Sequence, residues 1–134
     1  MILNKKLRTE IIEVPVGNAS GTEFSWGASL PNLRDCAYIK RIEAFHSGQV
    51  STSPNGLAVV SQATFQKSFL KLISGATEFK TISLVSLSKF TNGTVVEDVN
   101  IPAIDTEKTK VKVANNAGVQ PNECYLFEIT YEQK

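Results

Sequence analysis

The chain has 134 residues, of which 42% are hydrophobic and 20% charged, and its formal net charge is +1. A chain of this size and composition folds as one globular domain with a single core, which excludes a disordered polymer. The near-zero charge argues against a dedicated polyanion binder, and no apolar run approaches the roughly 20 residues that span a bilayer.

Residues 1–8 are polar and mildly basic, and we predict that they form an N-terminal arm ahead of one domain over residues 9–134. Lys5, Lys6 and Arg8 are the cations of this arm. Three charges would make only a weak, salt-sensitive contact with nucleic acid. An acidic neighbouring subunit is the other partner that the arm could contact. No apolar h-region follows them, so a signal peptide is not predicted.

Period-two alternation of apolar side chains begins at residues 9–16, where Ile12, Val14 and Val16 share one face. Pro15 lacks the N–H that a ladder needs. This strand is therefore predicted to lie at the edge of a sheet or to end there.

Two more extended segments follow in the N-terminal half. Residues 23–26 place Phe24 and Trp26 on one face. Residues 36–46 form a long strand in which regular alternation puts Tyr38 and Ile42 on one face and Ile39 on the other.

The middle of the chain contains a turn and one ambiguous segment. The sequence Ser-Pro-Asn-Gly at residues 53–56 predicts a turn, because proline presets φ and Asn-Gly tolerates positive φ. Residues 63–73 fit both a helical stripe and a strand. We favour the strand, since residues 74–76 read as a turn and residues 77–87 as a second, extended arm of a hairpin.

The C-terminal third is again strand-like. Asn92-Gly93 is a strong turn signal, residues 100–108 read as a loop around Pro102, and residues 109–113 predict a strand with Val111 and Val113 inward. The last strand covers residues 124–131, and its first half is apolar on both faces. Alternation puts four residues on one face, Tyr125, Phe127, Ile129 and Tyr131, and four on the other, Cys124, Leu126, Glu128 and Thr130. This strand is therefore predicted to lie inside a sheet.

These segments give eight or nine short strands and no confident helix. The predicted strands are residues 9–16, 23–26, 36–46, 57–60, 63–73, 77–87, 94–99, 109–113 and 124–131. This pattern is typical of an all-β, antiparallel β-sandwich, and a jelly roll is one form that such a sandwich takes.

No group of residues indicates catalysis, metal binding or a cofactor site, so we predict no enzyme activity. His46, the single histidine, falls at a strand end, and we predict a partly exposed histidine; pairing with a thiol is the alternative. Cys36 and Cys124 are predicted to be small buried side chains. Glu97 and Asp98 point to opposite faces of a strand, so both are predicted to be solvated.

Three aromatic residues allow a second functional hypothesis. Phe24, Trp26 and Tyr38 would form a platform for a glycan or another host-surface ligand, as in a β-sandwich binding module. The alternative, that these side chains are core or intersubunit anchors, is favoured by the usual burial of aromatic rings.

Three segments carry a family resemblance: Leu30-Pro31-Asn32-Leu33-Arg34-Asp35, Ser68-Phe69-Leu70-Lys71-Leu72 and Ile82-Ser83-Leu84-Val85-Ser86-Leu87. Together with the aromatic last strand, they resemble small virion structural proteins of bacteriophages that infect Bacteroidota. The resemblance covers roughly residues 9–131. It implies a non-enzymatic capsid or capsid-associated protein, located in virions assembled in the host cytoplasm. The implied partners are other virion proteins and copies of the chain itself, as a homo-oligomer.

Overall fold

The computed structural model describes residues 7–17, 22–26, 38–74, 77–87, 101–102, 108–113 and 120–133. These residues form two β-sheets that pack face to face around one core. Sheet I contains β1 (Leu7–Pro15), β3 (Tyr38–Phe45), β4 (Ala58–Val59), β7 (Ile101–Pro102) and β9 (Glu123–Glu132). Sheet II contains β2 (Glu23–Ser25), β5 (Ser68–Ser74), β6 (Thr77–Ser83) and β8 (Lys110–Val113). The predicted all-β sandwich is confirmed.

The strand order is nested. Sheet I runs β1-β9-β3-β7 with β4 beside β9, and sheet II runs β2-β8-β5-β6. With the two-residue β4 set aside, the first strand pairs with the last, the second with the one before it, and β5 and β6 form the central hairpin. All these pairings are antiparallel, whereas β4 pairs with β9 in parallel. The connectivity is that of a jelly roll.

Strand β9 is the centre of sheet I, with β1 on one side and β3 on the other. The side chains on its inner face are all buried: Tyr125, Phe127, Ile129 and Tyr131. The opposite face holds Cys124, Leu126, Glu128 and Thr130, as the period of two predicted. Two aromatic pairs join the sheets across the core: the ring centroids lie 6.1 Å apart for Phe24–Tyr125 and 5.3 Å apart for Trp26–Phe127.

A β-bulge at Lys40 changes the faces of β3. Ile39 and Arg41 oppose consecutive residues of β9, so Lys40 is an extra residue in the ladder. Ile39 therefore joins Ile42 in the core, and Tyr38 lies on the outer face. The predicted regular alternation, which grouped Tyr38 with Ile42, is wrong at this point.

Two strand boundaries differ from the prediction. β1 begins at Leu7, because Leu7 and Arg8 continue the ladder with β9, so Arg8 belongs to the sheet rather than to an arm. Ile101 and Pro102 form the short strand β7, where a loop was predicted. Proline is tolerated there because β7 is an edge strand of sheet I, as β1 is with Pro15.

Two segments that were predicted to be extended form helical turns instead. Residues Gln62–Phe65 form the single turn α1, whose N-cap Ser61 accepts a hydrogen bond from the Thr64 N–H. The strand prediction for residues 63–73 is thus right only from Ser68 onward. Residues Leu84–Leu87 form a 3₁₀ turn, which suits the burial of both Leu84 and Leu87 because i and i+3 lie on one side of such a turn.

The predicted turn at residues 53–56 is confirmed. Gly56 has φ +86°, and its N–H donates to the Ser53 carbonyl at 2.9 Å. Several other predictions lie outside the described residues: the arm through residue 6, the segment with Cys36, the Asn92-Gly93 turn, and the pair Glu97 and Asp98.

Candidate functional site

The predicted interface residues do not come together in one place. Lys5 and Lys6 lie outside the described residues, and Arg8 is an exposed residue of β1 opposite Tyr131. Phe24 and Trp26 are buried between the sheets. The predicted interface is therefore corrected for these two rings, which are anchors of the core.

The predicted aromatic platform is not formed. Tyr38 is 38% exposed, but it lies on the outer face of sheet I, on the far side of that sheet from Phe24 and Trp26. The rings of Phe24 and Trp26 pack against those of Tyr125 and Phe127 instead. A ligand that stacked on all three predicted residues would have to pass through the core.

His46 is buried, which corrects the prediction of a partly exposed histidine. Its Nδ1 accepts a hydrogen bond from the Gly48 N–H at 3.1 Å, and its ring meets the edge of Phe65 at 5.2 Å between centroids. A Cβ on Gly48 would lie only 2.9 Å from His46 Cε1, so any larger residue would force the buried imidazole to shift. The imidazole thus shapes the start of the loop after β3. Among the described residues, no group of three or more His, Cys, Asp or Glu side chains could hold a metal ion.

Cys124 is a buried, free thiol on the outer side of β9. Burial raises the pKa of this thiol, and a hydrogen bond with Ser53 lowers it by less. The thiolate needed for nucleophilic attack is therefore disfavoured. The prediction of a small buried side chain is confirmed for this cysteine.

A hydroxyl pair links the two sheets inside the core. The Ser68 hydroxyl donates to the Thr64 carbonyl at 2.8 Å and lies 2.8 Å from the Tyr125 hydroxyl. Since Ser68 has one proton and uses it on Thr64, the Tyr125 hydroxyl must donate to Ser68 Oγ. Burial raises the pKa of Tyr125 to about 12. This geometry holds strands together rather than supplying a reactive group.

Part of the outer face of sheet I is covered by residues 46–57. A second apolar cluster forms there from Val59, Cys124 and Leu126, with Phe45, Val50 and Leu57 packed against it. The Asn55 side-chain amide and backbone N–H both donate to the Glu13 carboxylate, which fastens the loop to β1. The loop covers the half of the face near the start of β9.

The other half of this outer face combines exposed apolar side chains with carboxylates. We call it the acidic face, and define it by Leu7, Ile11, Tyr38, Glu43, Glu128 and Glu132. The exposed fractions are 58% for Leu7 and 46% for Ile11, which is high for large aliphatic side chains in a strand.

The strand register places acids between apolar residues on the acidic face. Ile11 of β1 lies opposite Glu128 of β9, which in turn lies opposite Glu43 of β3. Two adjacent carboxylates repel each other, and that of Glu43 forms an ion pair with Arg41. Glu43 and Glu132 are both buried, whereas Glu128 is partly exposed.

The outer face of sheet II is basic. We call it the basic face, and define it by Glu23, Phe69, Lys71, Lys110 and Lys112. Phe69 is 39% exposed and lies directly between Lys112 of β8 and Ser83 of β6. Lys110 pairs with Glu23 at 3.6 Å between Nζ and Oε1, and Lys112 lies opposite Glu23 in the strand register.

Neither face was predicted from the sequence. One signal was present: Ile11 is apolar next to Ile12, so β1 has an aliphatic side chain on the face that alternation assigns to solvent. The basic face had no such signal, because its lysines belong to strands 36 or more residues apart that meet only once β8 lies beside β5.

In the part of the chain that the structure describes, no helix has the length and apolar character needed to cross a membrane. Comparison of the chain with protein-family models, with curated proteins and with solved structures found no match.

Proposed function

We propose that this chain is a non-enzymatic structural component of a bacteriophage virion: a minor capsid, vertex or decoration protein. It acts by packing against copies of itself and against other virion proteins. The observation that carries the proposal is the acidic face, a stiff sheet surface on which Leu7 and Ile11 are exposed.

Exposed aliphatic side chains on a sheet face favour contact with another chain. Each one gains roughly 25 cal/mol for every Å² of apolar surface removed from water. Leu7 and Ile11 lie on one nine-residue strand, with Tyr38 on the same face two strands away, so a flat partner surface can cover all three together. Such patches mark interaction sites more often than single exposed residues do.

The topology supports the same class of role. Jelly rolls recur in viral capsid proteins, where copies pack on copies, and also in lectins and cupins. Because one fold serves many functions, this support is an analogy, and the surface chemistry has to carry the rest. The resemblance of three segments to phage virion proteins points in the same direction.

Labelling of purified phage particles tests the proposal. An antibody raised against the chain should decorate intact or gently opened particles in electron microscopy, and the chain should remain with particles through density-gradient purification. Recovery of the chain only in the particle-free fraction of infected cells would count against a virion component.

The oligomeric state supplies an independent test. Light scattering coupled to size exclusion should give a mass above the 14.6 kDa of one chain at high protein concentration. Glycan binding that disappears in Tyr38→Ala, with a monomer at every concentration, would favour a binding module instead.

A further inference from the structure

We infer that β1 of one copy pairs edge to edge with β1 of a second copy, antiparallel and two-fold symmetric about Thr9. The pairing joins the two copies of sheet I into one continuous sheet. This inference rests on the proposed function, because it names a surface through which copies of the chain pack. The occupant of the free edge is the same edge of another copy.

One edge of β1 has no neighbouring strand among the described residues. β1 pairs with β9 on one side, and at nine residues it is the longest edge strand in the part of the chain that the structure describes. An edge strand presents unpaired backbone groups, which are a template for pairing with another chain. Addition of a partner strand to such an edge is a recurring mode of recognition.

Alternate residues of β1 direct their backbone groups toward this free edge. The Val16 N–H donates to the Glu123 carbonyl at 3.0 Å, so these two residues form a hydrogen-bonded pair beside the β1–β9 ladder. Such pairs recur at every second residue, so the odd-numbered residues from Leu7 to Pro15 direct their backbone groups away from β9. The N–H that Pro15 lacks is therefore missing from the edge and not from the ladder.

The segment Leu7-Arg8-Thr9-Glu10-Ile11 is complementary to itself when two copies run antiparallel. With Thr9 opposite the partner's Thr9, Leu7 lies opposite the partner's Ile11. The same register sets Arg8 opposite the partner's Glu10, and each of these pairs occurs twice by symmetry. Aliphatic pairs, opposite charges and Thr–Thr pairs all stabilise neighbouring strands when they lie directly opposite each other.

The paired side chains are available in the isolated copy. Leu7 and Ile11 are exposed, and so is Arg8. Glu10 is partly exposed, yet its Oε2 is shielded from water and has no hydrogen-bond partner among the described residues. A shielded carboxylate oxygen without a donor is costly, and the partner's Arg8 supplies donors to this carboxylate.

Neither charge is engaged elsewhere in sheet I. Arg8 lies opposite Tyr131 and Glu10 lies opposite Ile129 in β9, so neither has a charged residue across the ladder. Among the described residues, neither side chain forms an ion pair. Both charges therefore remain for a partner strand.

Other two-fold registers of this edge are less favourable. An axis at Arg8 or at Glu10 sets two like charges directly opposite each other, which is destabilising. An axis at Ile11 sets Arg8 opposite the buried Val14 and extends the ladder to Pro15, which has no N–H to donate. The register of the self-complementary segment matches both the charges and the backbone groups.

The contact is isologous, because both copies use the same strand, and it closes at two copies. The pairing of residues 7–11 supplies about six backbone hydrogen bonds across the two copies. A contact this short gives a weak dimer, and its charge pairs weaken further as salt is added.

Charge-reversal variants, measured by sedimentation velocity at low ionic strength, test the inference with the full chain. Arg8→Glu and Glu10→Arg each set like charges opposite each other at two places in the dimer, so each should weaken dimerisation at least about tenfold. Lys112→Glu makes the same charge change as Arg8→Glu at an exposed position of β8 and should leave the dimer unchanged. Thermal unfolding of each variant checks that the fold is kept.

An equimolar mixture of Arg8→Glu and Glu10→Arg gives the sharpest result. One copy then has acidic side chains on both sides of Thr9 and the other has basic ones, so every charge pair between unlike copies attracts. The mixture should dimerise at least as strongly as the wild type, although neither variant does so alone. A mixture of Lys112→Glu with Glu10→Arg has the same net charges and should not rescue the Glu10→Arg copy.

Disulfide cross-linking under mild oxidation reports the register. Thr9→Cys sets the two introduced thiols opposite each other across the axis, with Cα atoms about 5.5 Å apart, which a disulfide can bridge. Ile11→Cys sets them at opposite ends of the paired segment, beyond the limit of about 7 Å. A dimer that cross-links at residue 9 and not at residue 11 is the expected result.

Three results would overturn the inference. A wild-type chain that stays monomeric at low salt and high concentration removes the contact altogether. Dimerisation that survives both charge reversals assigns the contact to another surface, and cross-linking at residue 11 instead of residue 9 rules out the axis at Thr9. The virion role is judged separately by the particle labelling, so either conclusion can fail while the other holds.

Discussion

At the scale of single residues, Tyr125 shows how burial and hydrogen bonding combine in this core. Its ring belongs to sheet I and its hydroxyl donates to Ser68 of sheet II. Burial raises its pKa from the usual 10.0 to about 12. The neutral phenol is therefore the form that the folded state holds.

Tyr125→Phe tests this linkage. Below pH 10 the Tyr125 hydroxyl is protonated in both the folded and the unfolded state, so its contribution to stability is fully present there. Between pH 10 and 12 the unfolded chain ionises first, and stability falls with rising pH, by about 2–3 kcal/mol in total. The variant should be about 1 kcal/mol less stable than the wild type near pH 7, because the hydrogen bond is missing. Its stability should also fall less between pH 10 and 12. Denaturant titrations at several pH values measure both effects, and an identical alkaline decline in both proteins would disprove the linkage.

Phe127→Ala probes the packing between the sheets. Phe127 is fully buried and its ring meets that of Trp26, so truncation should cost about 3–5 kcal/mol in the free energy of unfolding. Phe69→Ala is the matched control, because the Phe69 ring is 39% exposed, and it should cost about 1 kcal/mol or less. Urea unfolding of both variants gives the comparison. Similar losses for the two would mean that Phe127 is not a core residue.

At the scale of elements, the bulge in β3 decides which side chains reach the core. Lys40 adds one residue to the ladder and lets Ile39 and Ile42, three positions apart, face the same way. Without such an extra residue, a spacing of three puts two side chains on opposite faces of a strand.

Deletion of Lys40 is therefore expected to be tolerated. The shortened strand has regular alternation, with Ile39 still inward and Arg41 still outward, so the unfolding midpoint should fall only slightly. Deletion of Glu43, the control, turns Ala44 outward and Phe45 inward and should prevent folding or cost several kcal/mol. Circular dichroism and thermal unfolding of the two deletions distinguish them. Equal damage from both would show that the bulge itself is required.

Regular alternation was the part of the fold that the sequence allowed us to predict. β9 and β8 follow it without interruption, and both were placed correctly with their faces. The bulge was missed because one extra residue leaves no mark in composition. β7 was missed because Pro102 reads as a breaker unless the strand is known to lie at an edge.

The candidate surfaces were harder to predict than the strands. Ile11 signalled an apolar outer face, but its acidic neighbours come from β9 and β3, more than 30 residues away in either case. Such a surface exists only after strand order and register are known. The aromatic prediction failed for the opposite reason, since Phe24 and Trp26 share a face with the core.

At the scale of the whole molecule, nearly all pairings among the described strands join distant parts of the chain. β1 pairs with β9 and β2 with β8, while the β5–β6 hairpin is the local exception. Folds with such non-local pairing form slowly, on the millisecond to second scale, because long loops must close before the contacts stabilise them.

Truncation of the N-terminus separates stability from assembly at this scale. Because β1 begins at Leu7, a chain that starts at Leu7 keeps every residue of the β1–β9 pairing. If residues 1–6 bridge subunits, their removal should weaken assembly while the unfolding temperature stays nearly unchanged. Removal of residues 1–8 should lower that temperature as well. Light scattering and calorimetry on both truncations test this, and assembly unaffected by the shorter deletion would reject a bridging role.

The central position of β9 has a consequence for biosynthesis. A ribosome makes β9 after the eight other described strands, yet β1 and β3 have no common neighbour until it arrives. Any product that stops before Glu123 lacks the middle of sheet I and leaves the inner faces of both sheets open to water. We expect interrupted translation to yield chains that proteases and chaperones recognise at once, because their apolar inner faces remain exposed.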